Sequence, residues 1–103
     1  MKFLQKLANI SSFDFDSRPV VGVESILTIE GMLSDPAWEV QEENIEMDID
    51  RSVVVIRIWV KRDPNLMAAH VIKKFVKKVK ITFPHSGEWK IQVNDKNLET
   101  VIE

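Results

Sequence analysis

Cysteine and tyrosine are both missing from this chain of 103 residues. The first absence removes disulfides, thiolate metal ligands and thiol nucleophiles at once. The second leaves few rings on which nucleic-acid bases stack. Glycine is scarce as well. Gly22, Gly31 and Gly87 are too far apart to build a phosphate-cradling loop. The two histidines, His70 and His85, share no metal-ligand spacing, and none of the serines sits in a nucleophile elbow. No apolar run is long enough to span a bilayer, and Met1–Ile10 lacks the apolar stretch of a signal peptide. The expectations are therefore a non-enzymatic chain with no cofactor, in the cytoplasm unless a leader has been trimmed, and without a membrane partner.

What is present suits one globular domain: 45% hydrophobic and 29% charged residues, with a formal net charge of −2. The charge is unevenly spread. Residues 1–52 hold four basic and eleven acidic side chains, against ten and five over residues 53–103. In a β-sandwich the two halves interleave, so cross-strand pairing is expected and not a bipolar molecule.

Along the chain, apolar residues at Phe3, Leu4, Leu7 and Ile10 have helical spacing, which predicts a short helix over 3–10 within an N-terminal arm, residues 1–19. From residue 20 to 103 the period is mostly two, the mark of half-buried strands. Val21, Val23, Leu27, Ile29 and Leu33 alternate with polar residues, and Ser34-Asp35-Pro36 ends that run. In the next strand the apolar set moves from Trp38 and Val40 to Ile45, Met47 and Ile49, so an irregularity falls around Glu42–Asn44. Val53–Val60 is the most strand-like segment and pairs with 45–49 in a hairpin.

Two periods compete over residues 63–79. Asp63-Pro64 is a helix start, and pairs of apolar residues and lysines alternate every four. Yet Phe75, Val79, Ile81 and Phe83 also fit one strand face, with Lys74, Lys78 and Lys80 on the other. Beyond Phe83, Pro84–Gly87 turns, Trp89, Ile91 and Val93 alternate, and a turn at Asn94–Asn97 leads into a closing strand, Leu98 to Ile102. The fold class is all-β: a sandwich of six or seven antiparallel strands.

The run Phe83-Pro84-x-x-Gly87-x-Trp89-x-Ile91-x-Val93-Asn94 resembles the penultimate hairpin of immunoglobulin-like modules common in bacteria and archaea. Glu30-Gly31-Met32-Leu33-x-x-Pro36-Ala37-Trp38-Glu39 is similar to the first turn of small stand-alone prokaryotic β-sandwich proteins. The resemblance spans about residues 20–102 and concerns turns and core positions. It implies a mostly extended 71–83, with any helix confined to about 64–70, and it implies no activity.

Asp14 with Asp16, and Asp48 with Asp50, each aim two carboxylates at one face of an extended segment. Calcium binding at such acidic strand ends is the alternative function. Lys73, Lys74, Lys77, Lys78 and Lys80 invite a nucleic-acid reading. No aromatic residue lies among the lysines of that face, so a ladder with Glu46 and Asp48 is expected instead, and no nucleic-acid partner. Trp59 is the residue of most interest. Val54, Ile56, Ile58 and Val60 form the core-facing row, which leaves Val53, Val55, Arg57, Trp59 and Lys61 facing outwards. A tryptophan between two cations and beside two valines fits an interface anchor for a protein partner or a second copy. Cover from Phe3, Leu7, Phe13 or Phe15 is the competing explanation, and a bulge that turns Trp59 into the core is a third.

Overall fold

Period-two alternation places the core correctly. In the computed structural model, which describes residues 2–103, ten strands form: β1 (Leu4–Leu7), β2 (Asn9–Phe15), β3 (Ser25–Leu33), β4 (Glu39–Val40), β5 (Asn44–Asp48), β6 (Val53–Arg57), β7 (Trp59–Arg62), β8 (Lys73–Ile81), β9 (Gly87–Val93) and β10 (Lys96–Ile102). No helix occurs among the described residues. One layer of the sandwich is the sheet β2-β3-β8. The other is a pair of sheets, β10-β9-β6-β5 and β1-β7-β4, joined through the continuous run from β6 into β7. A single core lies between the layers. Leu27, Ile29, Val79 and Ile81 meet Val54, Ile56, Val60, Trp89, Ile91 and Val93 there. Burying a side chain of this size stabilises the fold by roughly 1.5–3 kcal/mol.

The expected β5–β6 hairpin forms, with Ile45 opposite Ile56 and Asp48 opposite Val53. So does β9–β10, whose two-residue turn puts Asn94 at φ +52°, in the left-handed region that asparagine tolerates better than most residues. The irregularity around Glu42–Asn44 is the gap that separates β4 from β5. The strand count rises to ten partly because of that gap, and partly because β6 and β7 divide at Ile58. One pairing, β6 with β9, is parallel.

Two helices expected from the sequence are replaced. Over residues 3–10, β1 runs antiparallel to β7 and β2 pairs with β3. The N-terminal arm is thus built into both layers, although Met1 lies outside the described residues. A register shift between Ile10 and Ser12 lets Ile10, Phe13 and Phe15 all reach the core. That bulge is what disguised the strand period. Over residues 64–70, Asp63 starts a turn: its carboxylate accepts from Asn65 N (2.9 Å) and its carbonyl from Leu66 N (3.2 Å). The turn does not propagate. Leu66 and Met67 are exposed, and a short helix without a packing surface does not persist in water.

The lysine strand also has a different neighbour. β8 is an edge strand paired to β3, with Lys78 opposite Thr28 and Lys77 opposite Ile29. Glu46 and Asp48 lie in the other layer, so the expected ladder is not made. The acidic and basic halves do interleave, through Lys78–Asp16 (2.9 Å), Lys80–Glu24 (3.8 Å) and Lys77–Glu43 (3.1 Å). Lys77 sits on the inward face of an edge strand, a position that discourages pairing with another chain.

Asn94 ties the layout together. Its amide Nδ2 donates to Ala8 O (2.8 Å) and Ile58 O (3.2 Å), its Oδ1 accepts from Ile58 N (2.9 Å), and its own N donates to Ile56 O (3.0 Å). Asn94→Ala leaves the buried Ile58 N and Ala8 O without these partners and keeps a β-carbon at positive φ. A loss on the order of 3 kcal/mol is expected in urea unfolding. Asn94→Gly should recover roughly 1 kcal/mol of that, since it relieves only the backbone term.

Candidate interaction surface

All five residues of the outward row are where alternation put them. Val54, Ile56, Ile58 and Val60 are buried, and Val53, Val55, Arg57, Trp59 and Lys61 are half-buried on the opposite face. The break at Ile58 does not disturb the alternation, because Asn94 supplies the hydrogen bonds that a neighbouring strand would otherwise give. Trp59 therefore does not turn into the core.

Each residue of the row has identifiable neighbours. Leu7 is directly opposite Trp59 in the β1–β7 ladder, and Gln5 is opposite Lys61. On the other flank, Glu39 is opposite Lys61 and Gln41 N donates to Trp59 O (2.8 Å). The Lys61 ammonium stands 5.1 Å from the centre of the Phe3 ring, within the range of a cation–π contact. Arg57 pairs with Glu46 across the β5–β6 ladder (3.3 Å). A shallow groove lined by Glu46, Asp48, Arg51, Val53 and Val55 continues the row away from Trp59.

The N-terminal segment flanks Trp59, which stays partly exposed. Leu7 and Phe3 are themselves exposed, so they widen the apolar area. Phe13 and Phe15 belong to β2 and pack against the core; Phe15 meets Phe83 edge-on at 5.9 Å. Neither covers Trp59.

A second feature, missed in the sequence, is a cleft of about 240 Å³ at one open end between the layers, lined by Lys6, Asn9, Leu33, Trp38, Val60 and Ile72 among others. Lys6 lies 4.5 Å from the Trp38 ring centre. Nearby, Arg62 Nε donates to both Asp35 oxygens (3.2 and 3.1 Å), and Asp35 also accepts from Ala37 N (2.8 Å). The pieces of this cleft come from β1, β2, β3, β7 and the approaches to β4 and β8, so no local pattern announces it.

The remaining candidates are dispersed. Asp16 is held below the ordinary carboxylate range by the Thr28 hydroxyl and then by the Lys78 ammonium. Asp14 bonds Phe15 N (2.8 Å) and Asp48 bonds Arg51 N (3.1 Å). Asp14 and Asp16 both line one shallow groove with Glu30, and Asp48 and Asp50 another with Glu46, but no group of three or more His, Cys, Asp or Glu that could hold a metal occurs among the described residues. His70 is exposed in the β7–β8 connection. His85 stacks 4.7 Å from Trp89, whose Nε1 donates to His85 O (3.0 Å).

With this geometry in place, comparison with known proteins identifies the chain at family level. The model of the ORF11 beta-sandwich domain matches residues 27–103, most of the chain. This protein belongs to the ORF11 beta-sandwich domain family. Within this ORF11 domain the matched residues run from β3 to β10 and include Trp59 and Asn94, whereas β1 and β2 lie outside them. No curated protein and no solved structure matches the chain.

One titration follows from the His85 contacts. Nδ1 faces Ser86 O (2.8 Å) and Nε2 faces Ile49 O (3.1 Å). Two carbonyls are satisfied together only by the doubly protonated ring. The Ser86 carbonyl first, then that of Ile49, raises the imidazole above its ordinary 6.5, against a smaller opposing effect of burial. A pKa raised on folding adds stability that is full below pH 6.5 and fades as pH climbs through the raised value. Thermal unfolding across pH 5.5–8.5 should therefore give a melting temperature that falls over this window, and His85→Gln should flatten that part of the slope.

Proposed function

We propose that this ORF11 domain is a non-enzymatic interaction module of immunoglobulin-like type, whose partner, in the simplest case a second copy, docks on the outer face of β6 and β7. The observation that carries the reading is Trp59. It is a large ring on an outward face, half-buried, with Leu7 beside it in register and cations at Arg57 and Lys61. Aromatic rings and arginine are the residue types that most often anchor protein interfaces. Covering what remains exposed of Trp59, Leu7 and Phe3 supplies an apolar centre, and Glu46, Arg57, Gln5 and Glu39 supply a polar rim. The immunoglobulin-like part of the proposal rests on the Phe83–Asn94 hairpin, in which Trp89 is buried and packs edge-on against Phe83 at 5.1 Å.

Sedimentation equilibrium over a wide concentration range checks this reading. A reversible dimer is expected, weakened at least tenfold by Trp59→Glu, since burying a carboxylate in an apolar interface costs more than about 1.4 kcal/mol. Trp59 is on an outer face, so the variant should keep the fold, which circular dichroism verifies. A monomer at every concentration, with wild type and variant alike, would rule out the second copy as partner.

A further inference from the structure

One end of the sandwich is apolar and cationic at once. β7 leaves it at Arg62, β8 begins at Lys73, and residues 63–72 form its tip. Leu66, Met67, Val71 and Ile72 are all exposed there, Met67 to 99%. The loop is held by two tight turns, with Leu66 N donating to Asp63 O (3.2 Å) and Val71 N to Ala69 O (2.8 Å). Leu4, also exposed, joins the same end opposite Arg62. Soluble domains rarely leave so many neighbouring large apolar side chains in water without a use for them.

The lysines of β8 divide sharply by position. Lys77, Lys78 and Lys80, away from the tip, are neutralised by Glu43, Asp16 and Glu24. Lys73 and Lys74, next to it, make no ion pair among the described residues and lie opposite Leu33 and Met32. Two carboxylates at this end are held by their neighbours. Asp35 holds Arg62 at 3.1 Å, and Asp63 caps Asn65 N at 2.9 Å. An apolar tip with a lysine collar is left over.

We propose that this tip docks on an anionic lipid surface. Leu66, Met67, Val71 and Ile72 enter the boundary between headgroups and acyl chains, and Lys73 and Lys74 meet the acidic headgroups. Charge argues against a second copy here, because tip-to-tip contact would bring two lysine collars together. Composition leans away from a protein groove: Met67 is of a type enriched at protein interfaces, but residues 63–72 contain no aromatic residue and no arginine, and lysine is depleted there. Loop backbone groups without intramolecular partners keep the segment at the wet headgroup level and out of the hydrocarbon. The net charge of −2 does not oppose this, since exposed charges farther away than about 10 Å are largely screened at ordinary salt. The expectation of no membrane partner rested on the lack of a bilayer-spanning apolar run and of a signal-like N-terminus; neither bears on a surface contact made by residues 66–72.

Co-sedimentation with vesicles of phosphatidylcholine, with and without phosphatidylserine, tests the proposal. Binding is expected to the anionic vesicles, much weaker to the neutral ones, and falling with salt. Met67→Asp should abolish it, and the pair Lys73→Glu and Lys74→Glu should weaken it by roughly fivefold per lysine or more. Val101→Asp, at an apolar site on β10 that is 56% exposed, close to the 57% of Val71, should leave it unchanged. Unaltered melting curves establish that the variants fold. Failure to pellet with either vesicle overturns the proposal, as does binding indifferent to Met67→Asp. Self-association without lipid that Met67→Asp abolishes would also overturn it, making the tip a protein interface.

Discussion

Everything in the second layer depends on one buried side chain amide. β6 has β9 as its parallel neighbour from Val53 to Ile56, where Ile56 is opposite Val93. At Asn94 the chain turns away into β10, and the next strand along, β7, finds β1 instead. Between these two neighbours Ile58 would be stranded in the core with an unpaired backbone. Asn94 fills the gap from both sides, accepting from Ile58 N and donating to Ile58 O and Ala8 O. Ala8 N in turn donates to Ile58 O (2.8 Å). A buried polar group is stabilising only when fully satisfied, and no buried side-chain nitrogen or oxygen is left unpaired among the described residues. The hydrogen bonds keep Ile58 in phase, and Trp59, one residue on, faces outwards because of it.

Charge does quieter work in the other layer. β8 offers a nine-residue edge, the kind of strand that invites pairing with a stranger. It is guarded by lysines on both faces, three of them tied to carboxylates just after β2, on the approach to β3 and in the link between β4 and β5. Most of these bridges are exposed and individually worth little. Lys77–Glu43 is better shielded and joins the two layers at their open side.

The residues that were legible from the sequence were those whose burial follows local alternation. Val54, Ile56, Ile58 and Val60, the β5–β6 and β9–β10 hairpins, the irregularity around Glu42–Asn44 and the outward reading of Trp59 came from period two together with strand propensity and the turn residues between strands. What stayed hidden depended on distant chain segments. The spacing of Leu4, Leu7 and Ile10 reads as a helix until β7 and β3 offer edges to pair with. Which strand adjoins β8 is a matter of topology, so the partners of its lysines were misassigned to Glu46 and Asp48. Asn94 read as an ordinary turn residue, because nothing near it reveals that Ala8 and Ile58 wait beside it. The exposed run from Leu66 to Ile72 was hidden for the opposite reason: its apolar residues look like core until no surface is found for them.

The Asn94 contacts also say something about the order of events in folding. Ala8 and Asn94 are 86 residues apart in the chain, and Val53–Ile56 must pair with a strand that arrives some 37 residues later. Closing such distant contacts delays folding relative to local ones. On a ribosome the β5–β6 hairpin and the β1–β7 pairing can form early, but β6 lacks its second neighbour and Ile58 N lacks its acceptor until the β9–β10 turn emerges. The second layer is therefore completed only by its last hairpin, and until that hairpin appears the backbone around Ile58 is the part most in need of protection.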